Sequence, residues 1–339
     1  MSSVLTLWIP CEASKPLYEK ITKMYHKQNS DVFFDIKEFP LTQYWKILLE
    51  SIKNEEGPDL FFMHNEHYDQ LKKAGCIAPY QFNEEQFKRL SDVYPMESNK
   101  GYYYDFALLT SLLYLQPDIE INPTTAWNAC FQQIAKEDKY EYDFGCSINL
   151  DAVSAFYYMA ALQHNEFKSE EKNTTEQWIK TLFSKYHIFD PHIDCKEAFI
   201  KNEIEMVYSW GWFAGYLKDK NKDFRVLPLC YEGNSPYADR RNTKSSFGIN
   251  AHSKNKAEAL DFIFYFLYDE EIQKLFCLTR KVVPLHKNIR NDKDIFSDEI
   301  ILSQASHVSN TLMPEKPLDN IKIENALMRM YAIYETNKR

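Results

Sequence analysis

Glycine is scarce in this sequence. Only 8 of the 339 residues are glycine, roughly a third of the ~7 % that an average protein contains. The phosphate-cradling motif G-x-G-x-x-G and the P-loop are absent, and so is the G-x-S-x-G motif of α/β-hydrolases. The sequence therefore offers none of these nucleotide-binding or serine-hydrolase signatures. Where glycine is so rare, we expect each remaining glycine at a position that excludes a side chain.

Long apolar runs, paired cysteines and an excess of positive charge are also missing. No stretch approaches the ~20 apolar residues that span a bilayer. The seven cysteines are scattered without C-x-x-C spacing, so we expect neither a disulfide framework nor a zinc site, and unpaired thiols are typical of a reducing compartment. The net charge of −9 disfavours a nucleic-acid partner.

The N-terminus has no features of a signal peptide. Met-Ser-Ser is followed directly by the apolar run Val4–Ile9, without a basic region, a long hydrophobic region or a cleavage site. From the residues alone, either a targeting segment has been removed or the protein is cytoplasmic.

The first hundred residues alternate between strand and helix patterns. The predicted strands are Val4–Ile9, Asp31–Phe39 and Leu60–Met63. Ser14 and Thr42 are candidate caps of the intervening helices, and Gly75 is a candidate left-handed cap of a third helix. A β-α-β-α-β order predicts an α/β fold with a mostly parallel sheet. The length of 339 residues suits two domains.

The remainder of the chain is predicted to be more helical. We predict helices at Thr125–Lys136, Ala152–Leu162, Glu176–Tyr186 and Ile321–Thr336, two helices within Lys256–Leu275, and strands at Ile204–Tyr208, Phe224–Pro228 and Phe247–Ile249.

The segment His64-Asn65-Glu66-His67 follows the third predicted strand. It matches neither H-E-x-x-H nor its inverse, and the P-C-x-x-C part of the deaminase signature is missing, so we expect no metal and no cofactor. A polar loop at a strand end is instead where α/β sheets bind ligands.

Trp210 and Trp212 are the most conspicuous aromatic pair, and they lie beside Gly211 and Gly215. Such clusters commonly pack in the core, whereas two glycines in a glycine-poor chain indicate backbone close to another group. We expect at least one of the tryptophans to contact a ligand. Sugars present C–H faces that stack on aromatic rings and hydroxyls that bond polar groups.

Several short motifs then resemble one family in their order and spacing. They are Leu5-Thr6-Leu7-Trp8-Ile9, Gly57-Pro58-Asp59-Leu60-Phe61-Phe62, Leu71–Tyr80, Trp127, Ala198–Met206 and Gly248-Ile249-Asn250-Ala251 with the helices that follow. Over nearly the whole chain the sequence resembles the extracellular solute-binding proteins of ABC transporters, in the maltose-binding-protein-like, sugar-binding branch. It departs from the family pattern at Asn202 and Glu205 and lacks the glutamate after Trp127.

The resemblance implies a two-lobed periplasmic-binding-protein fold of type II, with a ligand cleft between lobes that close about hinges. Lobe 1 would comprise residues 1–107 and 250–290, and lobe 2 residues 108–249 and 291–339. Hinge strands would lie near 105–110, 245–250 and 285–292. The implied partners are ABC permease subunits and, indirectly, their ATPase. The implied location is extracellular or periplasmic, as a membrane-associated lipoprotein, and the implied state is a monomer.

The resemblance also implies ligand-binding positions. These are Glu12, Tyr44, His64, Asn65, Glu66, Tyr103 and Trp212, to which Trp210, Asp151 and Arg241 are added as candidates. Glu66 would accept hydrogen bonds from hydroxyls and Trp212 would stack on a sugar.

We therefore expect a carbohydrate-binding protein of an importer that is not an enzyme. Three alternatives stay open. The same fold could bind a peptide, polyamine, anion or other small solute, or it could act as a ligand sensor for a membrane kinase. A glycosidase would require two carboxyl groups about 5 to 10 Å apart, and Glu66 and Asp151 are the pair to check.

Overall fold

The computed structural model describes residues 2–11, 14–64, 67–94, 101–121, 140, 142–146, 194–227 and 243–309, together with residues 332 and 336. Within these ranges the strands are β1 Ser3–Pro10, β2 Val32–Phe39, β3 Leu60–His64, β4 Ile77–Ala78, β5 Ala107–Leu109, β6 Ser111–Leu115, β7 Tyr142–Cys146, β8 Ile204–Trp210, β9 Arg225–Leu227, β10 Thr243–Asn250 and β11 Val283–Pro284. The helices are α1 Lys15–Gln28, α2 Leu41–Lys53, α3 Tyr68–Lys73, α4 Glu84–Val93, α5 Cys195–Ile200, α6 Trp212–Asp219, α7 Lys256–Tyr268, α8 Glu270–Arg280, α9 Lys293–Phe296 and α10 Glu299–Ser309. The predicted helices at 125–136, 152–162 and 176–186, and almost all of the one at 321–336, lie outside the described residues.

The chain forms two units, each built from separate stretches of sequence. The first comprises Met1–Leu109 and Thr243–Ile301, and the second Thr110–Asn242 and Leu302–Arg339. The boundaries differ from the predicted ones at three places. The first stretch of the first unit ends at Leu109 rather than at residue 107. Residues 243–249 belong to the first unit because β10 pairs with β3, β4 and β5. Residues 291–301 also belong to it, because ion pairs join Lys274 to Asp292 and Lys281 to Asp298. The hinge positions stay predictions.

The sheet of the first unit is mixed rather than mostly parallel. Its order is β11-β5-β10-β3-β1-β2, with β4 paired to β10. The predicted β-α-β-α-β segment supplies the parallel pairs β1–β2 and β1–β3. The other strand pairs, which β10 forms with β3, β4 and β5 and which β11 forms with β5, are antiparallel. The described strands of the second unit have the order β7-β8-β6-β9, with β7 and β8 parallel.

The predicted helix ends are partly correct. Gly75 has a φ of +66° just after α3, as expected of a left-handed cap. Ser14 precedes α1, but its side chain makes no capping hydrogen bond. The second helix begins at Leu41 after Pro40, so Thr42 is inside the helix and is not its cap.

Buried tyrosines connect distant parts of each unit. The hydroxyls of Tyr44, Tyr80, Tyr94 and Tyr114 each donate to a backbone carbonyl oxygen at least 18 residues away. Burial raises the pKa of all four hydroxyls, so they remain protonated donors. The abundant tyrosine therefore fills the core while satisfying backbone groups inside it.

Candidate functional site

The carboxyl ends of the first three strands lie at one edge of the first unit's sheet. Because β1 runs parallel to β2 and β3, their last residues Pro10, Phe39 and His64 end at the same edge. Pro10 and Phe39 are partners in register. The carboxyl edge of a parallel sheet is where α/β folds place their ligand-binding groups.

Three side chains form a cluster at this edge, which we call the strand-end cluster: Trp45, His64 and His67. The indole of Trp45 and the imidazole of His67 stack face to face, with ring centroids 3.5 Å apart and planes 12° apart. His64 lies 6.4 Å from each of the other two rings. Helix α2 supplies Trp45, and the segment between β3 and α3 supplies His67, so the cluster joins elements on either side of β3.

Two nitrogen atoms of the cluster are buried without a hydrogen-bond partner. They are Nε1 of Trp45 and Nδ1 of His64. A buried polar atom without a partner costs about 1–3 kcal/mol, and such atoms in native proteins call for an explanation such as a bound molecule. A hydrogen-bonding ligand at this edge would satisfy both.

Both imidazoles of the cluster are neutral at pH 7. Burial, followed by the charge of Arg280, lowers the pKa of His64 to about 3, while a hydrogen bond to the backbone of Lys244 acts in the opposite direction. Burial, followed by the neighbouring His64, holds the pKa of His67 well below its usual value. The cluster thus presents aromatic faces, one N–H donor and a neutral imidazole nitrogen, without a charge of its own.

Tyr44, a ligand-binding position that the resemblance implies, lies in the core of the first unit. Its side chain is 0 % exposed. Its hydroxyl lies 3.0 Å from the carbonyl oxygen of Trp8 and 2.7 Å from that of Phe62, so it connects β1 to β3. The adjacent residue, Trp45, faces the strand-end cluster instead.

Tyr103 lies in a neighbouring aromatic group of the first unit. Its ring is 4.7 Å from that of Tyr68, which also contacts Tyr102 at 5.8 Å. The ammonium group of Lys72 lies 4.7 Å from the centre of the Tyr102 ring. Tyr68 is the first residue of α3, directly after His67, so this group adjoins the strand-end cluster along the chain.

Trp210 and Trp212 lie together at a strand-to-helix corner of the second unit. Trp210 ends β8, Gly211 follows, and Trp212 begins α6. The two side chains are 4 % and 8 % exposed, so both are packed in the structure. A Cβ on Gly211 would lie 2.3 Å from the side-chain oxygen of Gln304, so the space beside this glycine is occupied by a protein side chain.

The remaining predicted site residues lie outside the described residues. They are Glu12, Asn65, Glu66, Asp151 and Arg241, which include the carboxyl pair considered for glycoside hydrolysis. Within the part of the chain that the structure describes, no group of three or more His, Cys, Asp or Glu side chains could hold a metal ion.

Asp59 of the G-P-D motif has a structural role at the opposite end of β3. One carboxylate oxygen accepts hydrogen bonds from the backbone nitrogen and the hydroxyl of Thr6, both at 2.9 Å. The other accepts from Ser253 at 2.6 Å and from Asn255 at 3.2 Å. The carboxylate therefore joins β1, β3 and the loop before α7.

Sequence reasoning missed Trp45 and gave His67 no ligand-binding role. The spacing of Trp45, Leu48, Leu49 and Ile52 is typical of a buried helix face, and His67 was considered only as part of a metal-binding motif. The usable signal was their proximity to a strand end, since α2 leads into β3 and His67 follows it.

The two discontinuous α/β units, with an uncharged aromatic and imidazole cluster at a sheet's carboxyl edge, define a ligand-binding protein of two-domain architecture. The family model for bacterial extracellular solute-binding proteins matches residues 20–302, and the chain belongs to that family. Among the described residues, no helix is long and apolar enough to cross a membrane.

Known proteins are similar to this chain in sequence or in fold. The maltotriose-binding protein of Pyrococcus abyssi (strain GE5 / Orsay) is 22 % identical over 324 residues, which cover 89 % of this chain and 70 % of that protein. An ABC substrate-binding protein of Listeria monocytogenes in complex with cycloalternan superposes with a TM-score of 0.79 at 12 % identity, over 100 % of this chain and 97 % of the other. A maltodextrin-binding protein of L. casei BL23 without ligand gives a TM-score of 0.69 at 15 % identity, over 99 % and 94 %.

Proposed function

We propose that this chain is the substrate-binding component of an ABC importer and that its ligand is an uncharged carbohydrate. Membership of the solute-binding family supports the binding role. The names of the similar proteins, which bind maltotriose, maltodextrin or cycloalternan, support a glucose-based oligosaccharide. We further propose that it works outside the cell and associated with the membrane, as a monomer that delivers its ligand to permease subunits without turnover.

The neutrality of the strand-end cluster is the observation that carries the proposal. With the pKa of His64 at about 3 and that of His67 also lowered, neither imidazole could attract an anion at pH 7. The cluster itself has no carboxylate among its three side chains for a polyamine or a peptide amine. A sugar needs what the cluster does supply: an aromatic face for its C–H groups, and an N–H group and an imidazole nitrogen for its hydroxyls.

The first test is thermal unfolding with a panel of ligands. The panel comprises maltotriose, longer maltodextrins, cycloalternan and glucose, with spermidine, a tripeptide and phosphate as the charged comparison. A ligand at about a hundred times its dissociation constant stabilises the native state by about 2.7 kcal/mol, which raises the midpoint by a few degrees. We expect a shift with an oligosaccharide and none with the charged ligands. The reverse pattern would exclude a sugar ligand.

Site-specific variants then connect the response to the cluster. Trp45→Phe keeps a ring and removes the unpaired N–H, so we expect it to weaken sugar binding. Trp8→Phe is the matched control, because it makes the same chemical change in the same apolar core. Equal losses in both variants would mean that core packing, rather than the cluster, controls binding.

Incubation with the bound sugar, followed by chromatography, distinguishes binding from catalysis. We expect the sugar to be recovered intact. Its consumption would instead favour a glycosidase and direct attention to Glu66 and Asp151.

A further inference from the structure

Gln304 occupies an unusual position in the second unit. It lies in α10 and its side chain is completely buried. Its side-chain oxygen accepts a hydrogen bond from the backbone nitrogen of Thr110 at 3.1 Å. Its amide also lies so close to Gly211 that a Cβ there would be 2.3 Å from the oxygen and 2.5 Å from the nitrogen. One side chain therefore contacts two segments that are far apart in sequence.

Both Thr110 and Gln304 lie where the chain passes between the units. The chain leaves the first unit between Leu109 and Thr110, and it passes to the second unit again within α10, between Ile301 and Leu302. Thr110 is the first residue after one crossing, and Gln304 is the third residue after the other. The hydrogen bond from Thr110 to Gln304 thus joins two crossing points directly.

The same contact fixes the corner that carries the two tryptophans. The backbone nitrogen of Gly211 donates to the carbonyl oxygen of Thr110 at 3.1 Å. The hydroxyl of Tyr114 lies 2.8 Å from the carbonyl oxygen of Trp210 and 3.3 Å from that of Gly211. The backbone between Trp210 and Trp212 is therefore held by Thr110, Tyr114 and Gln304, and two of these three lie at crossings.

We propose that Gln304 is a positioning residue that couples the Trp210–Trp212 corner to the two crossings, so that ligand contact at the corner changes the crossing segments. Ligand coupling of this kind rests on the proposed function, whereas the mechanical link between corner and crossings does not. A packed side chain that accepts a hydrogen bond from one segment and lies against another can carry coupling, because packed groups shift together rather than deform.

A matched control separates this role from simple packing. Gln116 is also completely buried in the second unit, and its amide nitrogen donates to the carbonyl oxygens of Phe199 and Ile204 at 2.9 and 2.8 Å. It follows β6 at the end away from Thr110, where it contacts neither the corner nor a crossing residue in these bonds. Gln304→Met and Gln116→Met each remove a buried amide of similar size, so both should lower the unfolding temperature.

Hydrogen exchange measured by mass spectrometry on the whole protein tests the mechanical link without ligand. We expect Gln304→Met to speed exchange in the peptide that contains Thr110 by about tenfold, the ratio that corresponds to losing about 1.4 kcal/mol of protection. Gln116→Met should leave that peptide as it is in the wild type. Unchanged exchange at Thr110 in Gln304→Met would overturn the proposal.

Maltotriose then tests how the link is used. In the wild type we expect it to slow exchange at the corner and in the peptides that contain Thr110 and Gln304. In Gln304→Met the effect should persist at the corner and disappear at Thr110, with affinity weakened at least about fivefold, the lower end of typical coupling between sites. Equal loss of affinity in Gln116→Met would overturn the positioning role. If maltotriose changes no exchange rate in the wild type, the result counts against the proposed function. The exchange rate at Thr110 without ligand would still test the mechanical link between the corner and the crossings.

Discussion

Replacement of Asp59 by alanine should destabilise the first unit without changing ligand binding. The carboxylate accepts four hydrogen bonds, at 2.6 to 3.2 Å, from Thr6, Ser253 and Asn255. The backbone nitrogen of Asp59 also donates a hydrogen bond to the Thr6 hydroxyl oxygen at 2.8 Å. The substitution therefore removes one centre that joins two neighbouring strands to the loop before α7.

The magnitude follows from the number of bonds. A net contribution of about 0.5–1.5 kcal/mol each, taken near the lower end because the site is only partly buried, gives a loss of roughly 2–4 kcal/mol. For a unit of this size, each kcal/mol lowers the unfolding midpoint by about 2–4 °C, so the expected decrease is roughly 5–15 °C. Asp59→Asn should also destabilise the first unit, since the amide NH2 group would replace one accepting oxygen and face hydrogen-bond donors.

Circular dichroism during thermal and urea unfolding measures this effect, and Asp31→Ala at an exposed position is the control. Ligand affinity should not change, because Asp59 precedes β3 whereas His64 ends it, about 16 Å away at ~3.3 Å per strand residue. The reasoning would be refuted if Asp59→Ala kept its midpoint and lost affinity, since the motif would then serve the ligand directly.

Three further predictions concern the core of the first unit. Gly248→Ala should lower the free energy of unfolding by about 1–3 kcal/mol in urea, because the new Cβ would lie 2.2 Å from the Phe61 ring. Adding Phe61→Leu should recover part of this loss, and no recovery in the double variant would refute the steric cause. Gly75→Ala is the control, because it is strained only by its φ of +66° and should lose about 1 kcal/mol. Below about pH 6.5, His64 is protonated in the unfolded chain, whereas in the folded protein it stays neutral until about pH 3. The free energy of unfolding of the wild type should therefore fall faster with decreasing pH than that of His64→Gln, by up to about 1.4 kcal/mol per pH unit. Parallel stability curves between pH 6.5 and 4.5 would contradict this. Tyr44→Phe should lose about 1–2 kcal/mol in urea unfolding and keep its ligand affinity, and the opposite pattern would restore Tyr44 as a contact residue.

Local patterns predicted the β1-α1-β2-α2-β3 order because apolar periodicity is a property of neighbouring residues. The position of β10 in the sheet of the first unit could not be predicted from such local patterns. Its partners β3, β4 and β5 lie well over a hundred residues earlier, and a strand's own composition does not select among them. Local apolar periodicity therefore could not predict the antiparallel strand pairs or the unit boundary at residue 243.

Tyr44 and its neighbour Trp45 show that a family resemblance does not determine which of two adjacent helix residues is buried. It indicated Tyr44, but successive residues of a helix point about 100° apart. Tyr44 consequently faces the sheet while Trp45 reaches the strand-end cluster. Motif spacing indicates a turn of α2, and only the packing of that helix against β1 and β3 decides which of its side chains is buried in the core.

The glycines show that a constraint can be predicted without its cause. Gly57, Gly211 and Gly248 each lie where a Cβ would come within 2.6 Å of another atom, as their scarcity predicted. At Gly211 the sequence predicted backbone close to an unspecified group, and in the structure that group is Gln304, 93 residues further along the chain. Because a close approach requires glycine whatever makes it, composition cannot distinguish a binding site from an internal contact. At this corner the space beside Gly211 is filled by Gln304, and the contacts of Gln304 and Thr110 therefore hold the backbone between Trp210 and Trp212.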